Sequence, residues 1–245
     1  MNSYGVTDRG KVRAENQDSF VIEWIESKEC LTAVVCDGMG GANAGSLAST
    51  LASKSFISYL DERISASRSK NPDIKRHLNN ACRKANDLVY SYSFFSSNYT
   101  GMGTTLVGAA MMGNQAFLVN VGDSRGYWLG KKKIVQITKD HSYVQTLIDK
   151  GILTPEQAAR HPQKNSIMRA LGVDEQVECD LFVQKMAKGD RILLCTDGLS
   201  NFLTESEILK LAQTYKTPEE LAKNLVESAL NAGANDNVTA VVLAR

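Results

Sequence analysis

Leu31-Thr32-Ala33-Val34-Val35-Cys36 runs without a break into Asp37-Gly38, and the same junction recurs where Arg191-Ile192-Leu193-Leu194-Cys195-Thr196 meets Asp197-Gly198. A third run, Ala116-Phe117-Leu118-Val119-Asn120-Val121-Gly122, ends in Asp123, and Asp236-Asn237 stands immediately before Val238-Thr239-Ala240-Val241-Val242-Leu243. Short apolar runs bounded by turn residues read as buried strands. Each of the four therefore carries a carboxylate at one end. A buried carboxylate needs a cation or hydrogen-bond donors, and four that converge repel one another unless a metal ion sits between them. Oxygen ligands with few histidines suit Mg²⁺ or Mn²⁺ rather than Zn²⁺. Gly after Asp37 and Asp197 lets the backbone come close and offers a carbonyl. One Asp-Gly marks a turn in many proteins; four strand-end acids together point to a metal centre.

The flanking sequence sets the fold class. Residues 18–25 read as a strand before 31–36. Residues 45–64 place Leu47, Leu51, Phe56, Tyr59 and Leu60 at helical spacing, and a second helix, 72–95, opens on Asn71-Pro72, a cap followed by proline at the first helical position. Strands 104–112 and 115–121 join through Gly113-Asn114, and 125–129 joins 133–138 across Gly130. Lys131, Lys132 and Lys133 lie at that turn and read as a solvated hairpin tip. Further strands are 177–185, 191–195 and 238–243. Between the last two, Thr204-Glu205-Ser206-Glu207 and Thr217-Pro218-Glu219-Glu220 are capping boxes, the second opening a helix over 219–231; Thr154-Pro155-Glu156-Gln157 reads as a short capped helix that His161-Pro162 stops. Strands come in runs and helices come in runs, which predicts an α+β domain on antiparallel sheets rather than a doubly wound βαβ fold.

The 245 residues contain only four prolines and no Ser/Gly-rich linker, so one continuous domain spanning 1–245 is expected. Lys plus Arg is 28 against 27 Asp plus Glu, a net of +1, which excludes nucleic-acid binding by bulk charge. The five cysteines form no C-x-x-C and read as buried thiols in a reducing compartment. The first residues carry no basic flank followed by an apolar stretch. No apolar run approaches the ~20 residues that span a bilayer. A cytoplasmic protein with no nucleic-acid or membrane partner is the expectation.

Arg13-Ala14-Glu15-Asn16-Gln17-Asp18 adds a fifth acid and an arginine before a strand. A guanidinium fork is the natural partner of two phosphate oxygens. Beside an oxygen-ligand metal cluster, it reads as phosphoryl chemistry. The ordered set Arg13…Asn16-Gln17-Asp18, Asp37-Gly38-Met39-Gly40-Gly41, Gly103-Thr104-Thr105, Val121-Gly122-Asp123-Ser124-Arg125, Asp140-His141-Ser142, Cys195-Thr196-Asp197-Gly198 and Asn235-Asp236-Asn237-Val238-Thr239 resembles the metal-dependent serine/threonine protein phosphatases of type 2C, the PPM family, in its bacterial branch. The likeness spans nearly the whole chain.

This resemblance implies a four-layer α-β-β-α sandwich with two central antiparallel sheets and a small flap, here about 143–171, beside the metal site. It implies two core ions, Mn²⁺ or Mg²⁺, and a weaker third. Asp37 takes the bridging position, Gly38 supplies a carbonyl, Asp197 and Asp236 complete the other ion, and Asp18 holds metal-bound water. Asp123, with Asp197, matches the third site, and Arg13 takes the substrate phosphate. A bridging hydroxide then attacks phosphorus in line, without a covalent phosphoenzyme. The implied partners are phosphorylated proteins and a serine/threonine kinase, and the implied state is a monomer.

One position departs from eukaryotic relatives: Met39 replaces a histidine that could serve as general acid, and Met cannot donate a proton. His141 reads as a structural histidine holding a loop, and His77 and His161 have no partner motif. A cysteine phosphatase is excluded, since no Cys is followed six positions later by Arg. A nuclease lacks its basic face here. A non-catalytic phosphoprotein sensor of the same fold is the remaining alternative; it should have lost metal-site acids, and all are present.

Overall fold

In the computed structural model, which describes residues 1–41 and 44–245, the apolar runs pair into two antiparallel sheets. The order along the chain is β1 (Asn2–Asp8), β2 (Asp18–Ile25), β3 (Cys30–Met39), α1 (Ala44–Ser65), α2 (Ile74–Tyr92), β4 (Gly103–Thr104), β5 (Leu106–Met112), β6 (Gln115–Val121), β7 (Arg125–Leu129), β8 (Ile134–Gln136), α3 (Tyr143–Asp149), α4 (Pro155–Ala158), β9 (Asp180–Lys185), β10 (Arg191–Cys195), α5 (Asp197–Ser200), α6 (Glu205–Thr214), α7 (Pro218–Asn231) and β11 (Val238–Ala244). One sheet has the order β1-β11-β10-β7-β8. The other has β2-β3-β5-β6-β9, with β4 paired to β3.

Three apolar layers hold the sheets and helices together. Val34 and Cys36 of β3 face a core shared with Phe56, Leu60, Leu78 and Val89 of α1 and α2. Leu31, Ala33 and Val35 point the other way, onto Ile192, Leu194, Val241 and Leu243 of the opposite sheet. That sheet's outer face packs Leu193, Ala240 and Val242 against Ile208, Leu221 and Leu225 of α6 and α7. A strand buried on both faces has no polar side to show, which is why 31–36 is unbroken in apolar character. The layers are α-β-β-α, as expected.

Several element ends differ from the sequence expectation. The second helix starts after Asp73, whose carboxylate accepts the Arg76 N–H at 3.1 Å, and not at Asn71-Pro72; it stops at Tyr92. The run 104–112 breaks at Thr105, β8 covers only 134–136, and β9 begins at Asp180 rather than 177. Three elements were not anticipated: the strand β1 and the helices α3 and α5. The polar strand β1 takes the edge beside β11 in full register, Asn2 opposite Ala244 through Asp8 opposite Val238. The helix α3 is capped by Ser142, which accepts the Gln145 N–H. The capping boxes at Thr154, Thr204 and Thr217 are all formed. Among the described residues, no helix is long and apolar enough to cross a membrane.

Phe56 is fully buried and lies against Gly108 of β5, where a Cβ would come within 2.7 Å of its ring. This contact seats α1 on the sheet that carries β2 and β3. Phe56→Ala should cost about 3–5 kcal/mol of unfolding free energy, measured by urea denaturation, with the midpoint lowered and the slope kept.

Candidate active site

Asp37 lies within β3 and not at its tip, because Gly38 and Met39 continue the strand by pairing with Thr104 and Gly103 of β4. Its backbone is held on both sides. Thr105 N–H donates to the Asp37 carbonyl at 2.9 Å, Thr104 Oγ1 donates to the same oxygen at 2.8 Å, and Asp37 N–H donates to Thr105 Oγ1 at 3.0 Å. Gly38 is required by crowding: a Cβ there would lie 2.0 Å from the Gly45 carbonyl oxygen. Gly198 is required likewise, 1.9 Å from the Asn237 carbonyl oxygen.

Asp18 opens β2 directly opposite Asp37 in the register, a like-charge pair that disfavours strand pairing unless something neutralises it. Its Oδ2 accepts from Thr196 Oγ1 at 2.9 Å and Thr239 Oγ1 at 2.6 Å, both on the other sheet. Asp197 is the first residue of α5, with Oδ2 accepting from Asn201. It reaches the same place as Asp236 because β10 and β11 are antiparallel neighbours, Cys195 opposite Ala240. Asp123 follows β6 and is 7% exposed. Arg13 donates from Nη2 to Asp236 Oδ2 at 2.8 Å, an ion pair that raises the guanidinium pKa further. The two sheets thus bring Asp18, Asp37, Asp123, Asp197, Asp236 and Arg13 to one end of the sandwich.

The electrostatics of this cluster favour a cation. Burial pushes Asp18 up to about 7, against the two threonine hydrogen bonds and with help from the charges of Asp197 and Asp236. Burial first, then Asp197 and Asp140, pushes Asp123 up to about 8. Asp37 is raised well above the carboxylate range by burial and by Asp18, Asp197 and Asp123, and Asp197 is raised by burial and Asp236. Asp18 Oδ1 and Asp123 Oδ1 are buried without a hydrogen-bond partner in the protein. Orphaned buried carboxylate oxygens, a hard donor set and mutual repulsion fit a divalent ion. Among the described residues, no three His, Cys, Asp or Glu side chains form a group that could by themselves hold one. The fit therefore rests on the unpartnered oxygens and the repulsion, not on a closed cage of side chains.

A cleft of about 510 Å³ opens on the cluster, lined by Arg13, Asp37, Met39, Asp197 and Asp236. A second cavity of about 470 Å³ lies under α3 and α4 and shares Asp123, Asn165 and Asp197 with the first. Asn165 and Ile167 bring the flap to the cleft; no motif in the sequence marks them. Asn237 was likewise not singled out. It is 5% exposed; its Oδ1 accepts Gln17 N–H at 2.8 Å, and its Nδ2 donates to the carbonyls of Arg9 at 2.8 Å and Glu15 at 2.9 Å, holding the loop that carries Arg13. His141 matches its structural reading: Nδ1 accepts Gly122 N–H at 3.1 Å, and its own N–H donates back to the Gly122 carbonyl at 2.8 Å. Asp140 is committed to Arg125, which donates to both its oxygens.

With this geometry established, comparison with known proteins identifies relatives. The family profile described as protein phosphatase 2C matches residues 9–231. The serine/threonine phosphatase stp of Listeria monocytogenes is 37% identical over 98% of this chain and 94% of its own length. The solved serine/threonine phosphatase PstP/Ppp of Mycobacterium tuberculosis is 39% identical, covers 100% of this chain and 99% of its own, and superposes with a TM-score of 0.87. A PstP catalytic domain solved in complex with two manganese ions is 38% identical over 98% of this chain and 96% of its own, with a TM-score of 0.84.

Acids with raised pKa values keep their protons longer in the folded state than in the unfolded one, so the stability they allow is present below the unfolded value near 4 and is lost as pH rises toward 7–8. The metal-free protein should lose thermal stability across that window. Added Mn²⁺ should raise the melting temperature more at pH 8 than at pH 5. Equal increments at both pH values in differential scanning calorimetry would show that these acids do not bind the ion.

Proposed function

The chain belongs to the protein phosphatase 2C family, and from that membership we propose a metal-dependent enzyme that hydrolyses phosphoserine and phosphothreonine on proteins, the whole chain acting as one catalytic domain. The observation that carries the reading is the cluster of five aspartates, two with orphaned buried oxygens and four lining one cleft with Arg13. The sensor alternative is disfavoured because no acid of the set is missing.

Asp37, Asp197 and Asp236, with the Gly38 carbonyl, would hold two core divalent ions, and Asp123 with Asp197 a weaker third. When bound, such ions supply an activated water and neutralise charge on the transferring phosphoryl group. The PstP catalytic domain solved with two manganese ions supports Mn²⁺. Asp18, held by Thr196 and Thr239, orients the attacking water through its unpartnered oxygen. Arg13 has five N–H donors and uses one on Asp236; the rest are available to phosphate oxygens. Met39 lines the cleft and cannot donate a proton to the leaving seryl oxygen, a task that a water held by the ions would take. Lys164 of the flap lines the neighbouring cavity, which supports contact with residues around the phosphoamino acid. The physiological partners are phosphoproteins produced by a serine/threonine kinase.

Asp37→Asn removes a charge central to the cluster. Activity on a phosphothreonine peptide with Mn²⁺ should fall at least about 10³-fold while the circular dichroism spectrum is kept. Near-normal turnover by a folded Asp37→Asn protein would overturn the metal reading.

Arg13→Ala should lower kcat/KM by the equivalent of about 1–3 kcal/mol, the scale of lost charge-assisted hydrogen bonds. Because Arg13 competes for Asp236 Oδ2, Mn²⁺ affinity by calorimetry should not weaken. A loss of Mn²⁺ binding in the folded variant would contradict the phosphate-binding role.

A further inference from the structure

The five cysteines are all free thiols, but they are not alike. Cys30, Cys36 and Cys195 are fully buried, and burial pushes Cys30 and Cys195 up to about 12. Cys82 is buried to the same degree and its thiol is raised as well; burial of this kind slows a thiol's own first reaction with an oxidant. Cys82 and Cys179 form a pair that lines neither cavity of the acid cluster. Cys82 sits on α2 in the core, and Cys179, just before β9, is partly exposed and packs against that same core. The Cys179 thiol donates to Asn79 Oδ1 at 3.0 Å. Asn79 stands one helical turn before Cys82 and shares its face of α2. The Cys82 thiol is itself in hydrogen-bonding contact with Cys179; that contact holds Cys179 below the ordinary thiol value against burial and the neighbouring Asp180 carboxylate, which push it up. Partial exposure and a second thiol in contact are the surroundings of an oxidisable cysteine with its resolving partner.

We propose that Cys82 and Cys179 are a modification site for peroxides, Cys179 reacting first and Cys82 closing the pair into an intramolecular disulfide. In the first step the Cys179 thiolate attacks one peroxide oxygen. The S–O bond forms as the O–O bond breaks, sulfur loses two electrons to the peroxide, and hydroxide leaves and takes up a proton. In the second step the Cys82 sulfur attacks the sulfenic sulfur. The S–S bond forms, the S–O bond breaks, and the Cys82 proton departs with the oxygen as water. Two thiols and one peroxide give one disulfide and two waters.

The bond would tie α2 to the base of the flap. Cys179 is followed by Asp180, whose carboxylate accepts from Arg169 Nη1 at 3.3 Å and stands 3.4 Å from His141 Nε2. Glu178, on the other side, accepts from Arg169 Nη1 through its carbonyl at 3.2 Å. The thiol pair therefore adjoins the contacts that hold the end of the flap and, through His141, the Gly122-Asp123 loop. It does not depend on the phosphatase reading.

The test treats the full chain with dilute hydrogen peroxide, with and without Mn²⁺, then alkylates free thiols and maps the peptides by mass spectrometry. Wild type should yield a Cys82–Cys179 disulfide, reversed by dithiothreitol, before Cys30, Cys36 or Cys195 react. In Cys82→Ser, dimedone should label Cys179 and longer exposure should give its sulfinic acid. In Cys179→Ser, Cys82 should stay reduced. Cys82→Ala gives a second version of the first variant should the serine disturb the core, and circular dichroism confirms that each protein is folded. Wild-type Cys179 accumulating as sulfinic acid as fast as in Cys82→Ser would overturn the proposal. So would a disulfide with any other cysteine, or no oxidation of Cys179 at all.

Discussion

Asp18 and Asp37 face each other across β2 and β3, two carboxylates in directly opposed positions of an antiparallel pair. Side chains so placed lie about 5 Å apart and like charges there push the strands apart. The surrounding structure is arranged around that repulsion. Thr104 and Thr105 hold the backbone of Asp37 with three hydrogen bonds. Thr196 and Thr239 reach over from the other sheet to one oxygen of Asp18, and Thr105 is itself tied to Ser124 beside Asp123 at 2.7 Å. A ring of hydroxyls and backbone donors fixes the acids in place and leaves oxygens of Asp18 and Asp123 without protein partners. The remaining repulsion is what a divalent cation can relieve.

The layers of the fold were legible because the physics that makes them is local. An apolar run of five or six residues ending in Asp-Gly can be little else than a strand buried on both faces, and 31–36 and 191–195 are that. Capping boxes were legible for the same reason: Thr154, Thr204 and Thr217 each bond within one turn. What sequence could not give depends on distant partners. The strand Asn2–Asp8 is polar and unremarkable alone and exists because β11 offers it an unpaired edge. Asp37 looked like a strand tip because Gly38 reads as a turn; the short pairing with Thr104 and Gly103 carries β3 past it. The same division holds at the site. The acids and Arg13 stood out by type and position. Asn237, Asn165 and Ile167 did not, since a neutral side chain in a loop shows its use only when its partners are in place.

The flap is joined to the acid cluster at three places. Asn165 lines both cavities, and the Met168 N–H donates to the His141 carbonyl at 2.8 Å, while His141 grips Gly122 next to Asp123. A displacement of the flap end is therefore felt at Asp123 through two hydrogen-bonded residues. Asp37 is linked as well, since Leu171 at the flap's end exchanges backbone hydrogen bonds with Thr104, whose hydroxyl donates to the Asp37 carbonyl. Two acids of the cluster, Asp37 and Asp123, are thus held through residues that also hold the flap.

Arg13 is anchored separately. It lies in a loop with no regular structure, yet Asn237 ties that loop at Arg9, Glu15 and Gln17. Asn237 is the neighbour of Asp236, and both precede β11 directly. The guanidinium and the carboxylate it pairs with are therefore mounted on the same strand end, one through the chain and the other through the side-chain amide. A phosphate drawn to Arg13 is brought into register with Asp236 without relying on the flap, and the 2.8 Å ion pair keeps the arginine aimed at the cluster until a ligand competes for it. Positioning of this kind converts attraction for any phosphate into placement of one phosphorus atom, which is the condition for in-line attack.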